Sequence, residues 1–395
     1  MPVSTSPPLE QHRHAGGVQP TPFRNRRLSQ FLLFASTVGS MLLTVSIGAG
    51  LVLVDPVFAA VILVSFIGFG ASGSEGRRLL GASLPCLWLV VLGSTLALLG
   101  VGLQRWALVT MLRDAFVFAT FFALCELAID RRIRYSRLMG GAFLSLILVE
   151  LAIFSDAGSY RPKGTFENPN YAGHFLALGL LLLLRASKLP VVVKAALTAS
   201  TLTALVLTGS FGGVAMLSGG VAYLLWARFR THPRPVAKVA YGLLLCTALA
   251  SSVYFSQVVV ADVFHVSDSV NAERLDRSAS DRLDLWRNGL GLLSDHPLGV
   301  GPGGLANRDL LGRSVEIHND YVAYLIERGP LGLLGLISFG VVLWRFGGRW
   351  GATRLMLIPI AIGMMSRETL HFRHMWLFLA FAFAYDVRSR RIGAT

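Results

Sequence analysis

An all-α, polytopic transmembrane bundle of about twelve spans is the fold this sequence predicts. Three observations lead there. Hydrophobic residues make up 53% of the 395 positions and charged residues only 15%, with a mean hydropathy of +0.59, which is too apolar for an ordinary soluble chain. Apolar runs of about 10 to 25 residues recur along it, and with their flanks most can cross a hydrocarbon core of about 30 Å. The basic residues, finally, gather in alternate connections between those runs.

The expected spans are 31–50, 52–70, 83–101, 107–129, 139–154, 171–184, 190–207, 212–226, 239–260, 321–344, 356–365 and 374–385. The first reads as an uncleaved signal anchor. Residues 1–30 are basic and rich in Pro, Gln and His, without an apolar core and cleavage site of their own, so they read as a disordered cytoplasmic tail. Residues 31–386 form one transmembrane unit, and 387–395 a second cytoplasmic tail.

Arg24, Arg26 and Arg27; Arg77 and Arg78; Arg131, Arg132, Arg134 and Arg137; Arg185 and Lys188; Arg228, Arg230, Arg234 and Lys238; Arg345, Arg349 and Arg354; and Arg388, Arg390 and Arg391 all fall on one side if the N-terminus is cytoplasmic. The opposite side then carries one large loop, 262–317, between the ninth and tenth spans. The formal net charge of +14 is therefore topological, not a signature of nucleic-acid binding. Cys86, Cys125 and Cys246 lie in apolar spans without CxxC spacing, which supports neither a disulfide framework nor a thiolate metal site. No GxxxxGK[ST] loop is present, so an ATP-driven pump is not indicated.

Three polar segments stand out, all on the outer side. In the first, Arg161 and Lys163 precede Asn168-Pro169-Asn170 at the entrance of the sixth span, with His174 one turn inside. This is either a helix cap with two solvated cations, or a phosphate site in which Asn168 and Asn170 add hydrogen bonds. The second runs from Asp281 to Gly303. Leu283, Trp286, Leu290 and Leu293 recur at helical spacing and predict a short amphipathic helix ended by His296-Pro297. Arg282 and Arg287 project from it, either toward substrate or into local ion pairs. The third runs from Ser314 to Gly332. If Asn319 or Asp320 caps the tenth span, His318 sits at a positive helix end that favours the neutral imidazole, and a neutral imidazole can accept a proton near pH 7.

Taken together, Arg161-x-x-Gly-x-Phe-x-Asn168-Pro-Asn170, Arg282-x-x-x-Trp286, His296-Pro-Leu-Gly-Val-Gly301 and His318-Asn-x-Tyr321 followed by Glu327-x-Gly329-x-x-Gly332 resemble the O-antigen ligase and O-antigen polymerase superfamily. The resemblance implies a metal-independent, GT-C type membrane glycosyltransferase that needs no cofactor. Its substrates would be a glycan on an undecaprenyl diphosphate carrier and an acceptor hydroxyl at the extracytoplasmic face of the inner membrane. A ligase would glycosylate the lipid A core of lipopolysaccharide, and a polymerase another lipid-linked repeat unit. The resemblance maps the catalytic pair onto Arg282 and His318. Arg161, Lys163, Asn168, Asn170, Arg287, Asn319 and Tyr321 would bind diphosphate or substrate. One departure is evident: members commonly carry Ser-Arg-Gly at the end of the seventh span, where this chain reads Ser210-Phe211-Gly212. Arg161 or Lys163 is the expected substitute for that cation. A transporter for the same lipid-linked sugars is the alternative of a different class, and would need charged residues along a path through the bundle.

Overall fold

The computed structural model describes residues 26–39, 46–48, 51–52, 55–68, 75–130, 134–159, 162–240, 284–306, 317–366 and 369–393. The described chain is helical apart from one two-stranded hairpin. Its elements are α1 (Arg26–Gly39), β1 (Ser46–Gly48), β2 (Leu51–Val52), α2 (Asp55–Gly68), α3 (Glu75–Val101), α4 (Arg105–Ile129), α5 (Tyr135–Ser155), α6 (Pro169–Ala186), α7 (Val191–Thr208) and α8 (Phe211–Thr231). Then follow α9 (284–295), a 3-10 turn at Gly304–Ala306, α10 (Asp320–Phe346), α11 (Ala352–Ser366) and α12 (Arg373–Gly393). Residues 235–240 are also helical.

Among the described residues, α3, α4, α5, α7 and α10 are long and apolar enough to cross a membrane, which makes this a multi-pass membrane protein. The other expected spans meet shorter or less apolar helices, and 239–260 lies almost wholly outside the described residues. The first expected span departs from expectation. Its helix stops at Gly39, and β1 and β2 pair antiparallel with Ser46 opposite Val52. At the chain ends, α1 begins at Arg26, inside the expected tail, and α12 runs on past Val387 to Gly393.

The core is built around α12, which packs against α4 on one side and α6 on the other. Phe118, Phe121 and Phe122 of α4 pack edge-on around Phe339 of α10 and Trp376 of α12, at centroid separations of 5.3–6.2 Å. Against α3, α10 comes close enough for backbones to touch. A Cβ on Gly93 would stand 2.5 Å from the Arg328 carbonyl, and one on Gly335 would stand 2.6 Å from that of Cys86. In lipid, such close approach replaces the hydrophobic effect as the source of helix association.

The two ends of the bundle differ in charge. At one, Asp386 of α12 caps α11, accepting from the backbone N–H of Ala352 at 2.7 Å and of Thr353 at 2.9 Å. Arginines surround it: Arg185 donates to the Trp350 carbonyl at 3.2 Å, Arg354 to that of Trp344 at 3.0 Å, and Arg388 to that of Asp130. At the other end lie the starts of α2, α6, α8, α10 and α12.

Candidate active site

The His318 end is assembled from three capped helix starts. Asn168 caps α6 by accepting from the Asn170 N–H at 2.9 Å, with Pro169 in the first turn, where its missing donor costs nothing. Ser210 caps α8, accepting from the Gly213 N–H at 3.2 Å, and packs against Gly173 of α6. Asn319 caps α10, accepting from the N–H groups of Tyr321 at 3.0 Å and Val322 at 3.2 Å. The cap expected for the tenth span is thus Asn319, with His318 immediately ahead of it.

His318 is held in a strained conformation. Its φ is 53°, and it is the one non-glycine residue at positive φ among the described residues. Both neighbours are fixed. Ile317 is buried and its carbonyl accepts from the Trp286 indole N–H at 2.8 Å; on the other side Asn319 is the cap and Asp320 accepts from the Thr369 N–H at 2.7 Å and its hydroxyl at 2.8 Å. A tethered loop of this kind aims an imidazole that would otherwise swing.

The second motif has its own place. α9 lies along the first turns of α10, where Trp286, Leu292 and Val322 pack around a small core of Val300, Leu305, Ile317, Ala323 and Ile326. Gly289 lies in the middle of that face, where a Cβ would stand 2.7 Å from the tip of the Ile326 side chain. The amphipathic helix expected there exists, but its buried face is centred on Gly289 and not on Leu290, which is 41% exposed. The small residue lets α9 approach α10, and that rotates the face.

After α9 the chain folds onto a kink in α10. Gly329 has φ 64° and ψ −174°, a region open essentially to glycine alone, and Pro330 restarts the helix. Leu298 and Gly299 fill the notch. The Val300 N–H donates to the Ile326 carbonyl at 2.9 Å, and a Cβ on Gly299 (φ 104°) would stand 2.7 Å from the Glu327 carbonyl. The Gly303 N–H in turn donates to the Glu327 carboxylate.

Below this surface lies a knot of charge. The Arg328 guanidinium, 2% exposed, pairs with Asp114 of α4 and with Glu327 at 3.0 Å, and lies 4.1 Å over the Tyr324 ring. Arg373 grips Asp55 with two bonds of 3.0 Å each, and Arg113 Nη2 donates to His371 Nε2 at 2.8 Å. Burial first, then the charges of Arg113, Arg328 and Arg373, push the His371 imidazole well below its ordinary value, so it is neutral near pH 7.

The sequence-predicted residues divide as follows. His318, Asn319 and Tyr321 come together, with the Tyr321 hydroxyl donating to the Ala361 carbonyl at 3.3 Å. Asn168 and Asn170 lie at the start of α6, whose Tyr171 ring packs 4.3 Å from Phe372, next to His371. Lys163 is exposed ahead of α6. Arg287 has a 79% exposed side chain and pairs weakly with Asp284 at 3.7 Å, the local ion pair that was one of its two readings. Arg161 and Arg282 lie outside the described residues. His174 is buried 6.0 Å from Phe372 by ring centroids, a bundle position. Sequence reasoning missed Arg328, His371 and Asp55. The charged pair Glu327-Arg328 within an apolar span was the available signal. Among the described residues no group of three His, Cys, Asp or Glu side chains is placed to hold a metal ion.

Residues 195–337 match the O-antigen ligase family, described as Wzy_C. The match bears out the resemblance to the O-antigen ligase superfamily over this stretch. It starts in α7, takes in the Ser210-Phe211-Gly212 departure, the Arg282–Trp286 and His296–Gly301 motifs and the His318–Gly332 segment, and ends beyond the kink of α10. The Asn168-Pro169-Asn170 segment lies outside the matched residues. No curated protein matches the chain. The matched segment thus takes in the part of the fold in which α9, the glycine notch and the His318 loop are packed together.

Proposed function

We propose that this protein is an O-antigen ligase-like glycosyltransferase. It moves a glycan from an undecaprenyl diphosphate carrier to an acceptor hydroxyl at the extracytoplasmic face of the inner membrane, without a metal ion. The observation that carries this reading is the Trp286–Ile317 hydrogen bond, which joins the loop helix of one family motif to the residue before the histidine of another. The clustering of arginines at the opposite end of the bundle supports the extracytoplasmic assignment through the positive-inside rule.

In this reading the acceptor oxygen attacks the anomeric carbon of the donor sugar. The bond from that carbon to the diphosphate oxygen breaks, its electron pair leaves with the diphosphate, and the acceptor proton passes to His318. General-base help of this kind is worth about 10²- to 10⁴-fold. The charge that grows on the departing diphosphate is met by Arg282, whose planar fork can bond two phosphate oxygens. Lys163 or Arg161 supplies the further cation that Phe211 does not. Asn168, Asn170, Asn319, Tyr321 and Arg287 complete the substrate surface.

Reconstituted protein with a lipid-linked saccharide, offered lipid A core or a second donor molecule, tests the function. Transfer to the core identifies a ligase, and a ladder of extended products identifies a polymerase. Passage of the lipid-linked sugar across the bilayer without any new glycosidic bond would replace the reading with transport.

A further inference from the structure

Among the described residues, one cation in the charged knot has no carboxylate of its own. Arg328 takes Asp114 and Glu327, and Arg373 takes Asp55. Asp320, on the adjoining turn, accepts from Thr369. Arg113 is left with a single hydrogen bond among the described residues, to the neutral ring of His371, and its Nε is buried without an acceptor. Among the described residues Asp55, Asp114 and Glu327 are thus engaged by the other two arginines, and Asp320 by Thr369. A guanidinium on an intramembrane helix with most of its five donors unspent is costly to keep, and such groups mark substrate sites.

The bond to His371 also has a direction. Arginine carries no acceptor, so it must donate, and the His371 Nε2 must present its lone pair. The ring proton therefore sits on Nδ1, facing Asp114 Oδ1 at 3.6 Å. Asp114 in turn binds Arg328, so the orientation of Arg113 is set by a chain that runs back into α10. The stretch 369–372 connects this chain to the His318 loop: Thr369 binds Asp320, two residues past His318, and His371 binds Arg113. On the other side Phe372 touches Tyr171 in the first turn of α6.

We infer that Arg113 is an anion-binding residue of the donor site, its free donors taking phosphate oxygens of the lipid-linked diphosphate while His371 positions the guanidinium. This rests on the proposed function, and it names a cation on α4, outside the matched family segment. An isoprenoid diphosphate suits the place, since its phosphates would lie among the helix starts while its tail extends along the bundle in lipid. Bidentate geometry makes arginine and lysine unequal here.

The test uses the full chain in detergent micelles with farnesyl diphosphate as a short-chain probe, and farnesyl monophosphate and farnesol as comparisons. Wild type should bind the diphosphate most tightly. R113Q should weaken that binding at least tenfold, R113K should recover only part of it, and farnesol binding should not change. H371A should weaken diphosphate binding less than R113Q does. Thermal unfolding of each variant separates lost binding from lost fold, and R113K keeps the comparison available if R113Q fails to fold. If wild type binds the diphosphate and both Arg113 variants bind it equally well, the inference is overturned. If wild type does not prefer the diphosphate over farnesol, the donor reading itself falls.

Discussion

Val300 and Ile326 are joined by a backbone hydrogen bond of 2.9 Å, which seats the Leu298–Gly299 turn in the notch that Gly329 opens in α10. Two motifs separated along the sequence are therefore one structural unit. A Cβ on Gly329 would stand 2.6 Å from the Leu298 carbonyl, and its φ of 64° with ψ of −174° is closed to other residues.

Gly329→Ala should therefore destabilise twice over. The backbone strain alone is worth about 1–3 kcal/mol, and the lost seat for Leu298 frees the connection from α9. Thermal unfolding in detergent should show a lower midpoint, and limited proteolysis should show faster cleavage after α9. An unchanged midpoint would mean the notch is not a fixed feature.

Asp114→Asn leaves Arg328 buried with Glu327 as its remaining carboxylate. Breaking a buried pair by removing one partner costs about 3–5 kcal/mol. Replacing both partners together, as D114N with R328M, should cost less than the two single changes summed, because the Asp114–Arg328 interaction can be lost only once. A double variant as unstable as the sum of the singles would contradict the pairing.

Trp286→Phe removes the indole donor to Ile317 while keeping an apolar ring in the small core. The carbonyl left unsatisfied costs about 1–3 kcal/mol, spent locally on the His318 loop. Glycosyl transfer should fall more than the unfolding midpoint does. Loss of both in proportion would make Trp286 a packing residue alone.

His371 gives the pH dependence a sign. Unfolded, its imidazole titrates near the ordinary value of about 6.5; folded, burial and the neighbouring arginines hold it well below that. The stability it contributes is therefore fully present above about pH 6.5 and is lost as pH falls from there toward the folded value, with a slope of at most about 1.4 kcal/mol per pH unit. H371N, whose amide oxygen can still accept from Arg113, should unfold with a shallower dependence between pH 7 and 5. Identical slopes would exclude the effect.

Much of this was legible in the sequence, for physical reasons. Apolar runs of membrane-spanning length announce helices because lipid permits little else, so the placement of α3, α4, α5, α7 and α10 followed directly. The Asn319 and Asn168 caps were legible because a short polar side chain ahead of an apolar run has few other roles. The end of α1 at Gly39 was not, since hydropathy carries no signal for a hairpin inside an apolar stretch. Nor was the partnership of Arg113 with His371 or of Arg373 with Asp55, because these pairs join residues more than two hundred positions apart and only the packing of α2 and α4 against the start of α12 brings them together. The face of α9 was misjudged at Leu290 because helical spacing counts large apolar residues, whereas Gly289 makes the contact.

Replacing His318 bears most directly on the central claim. Purified H318A, supplied with lipid-linked donor and acceptor, should still bind donor and should unfold like the wild-type protein, but its glycosyl transfer should fall at least a hundredfold. Transfer at the wild-type rate by the folded variant would contradict the account.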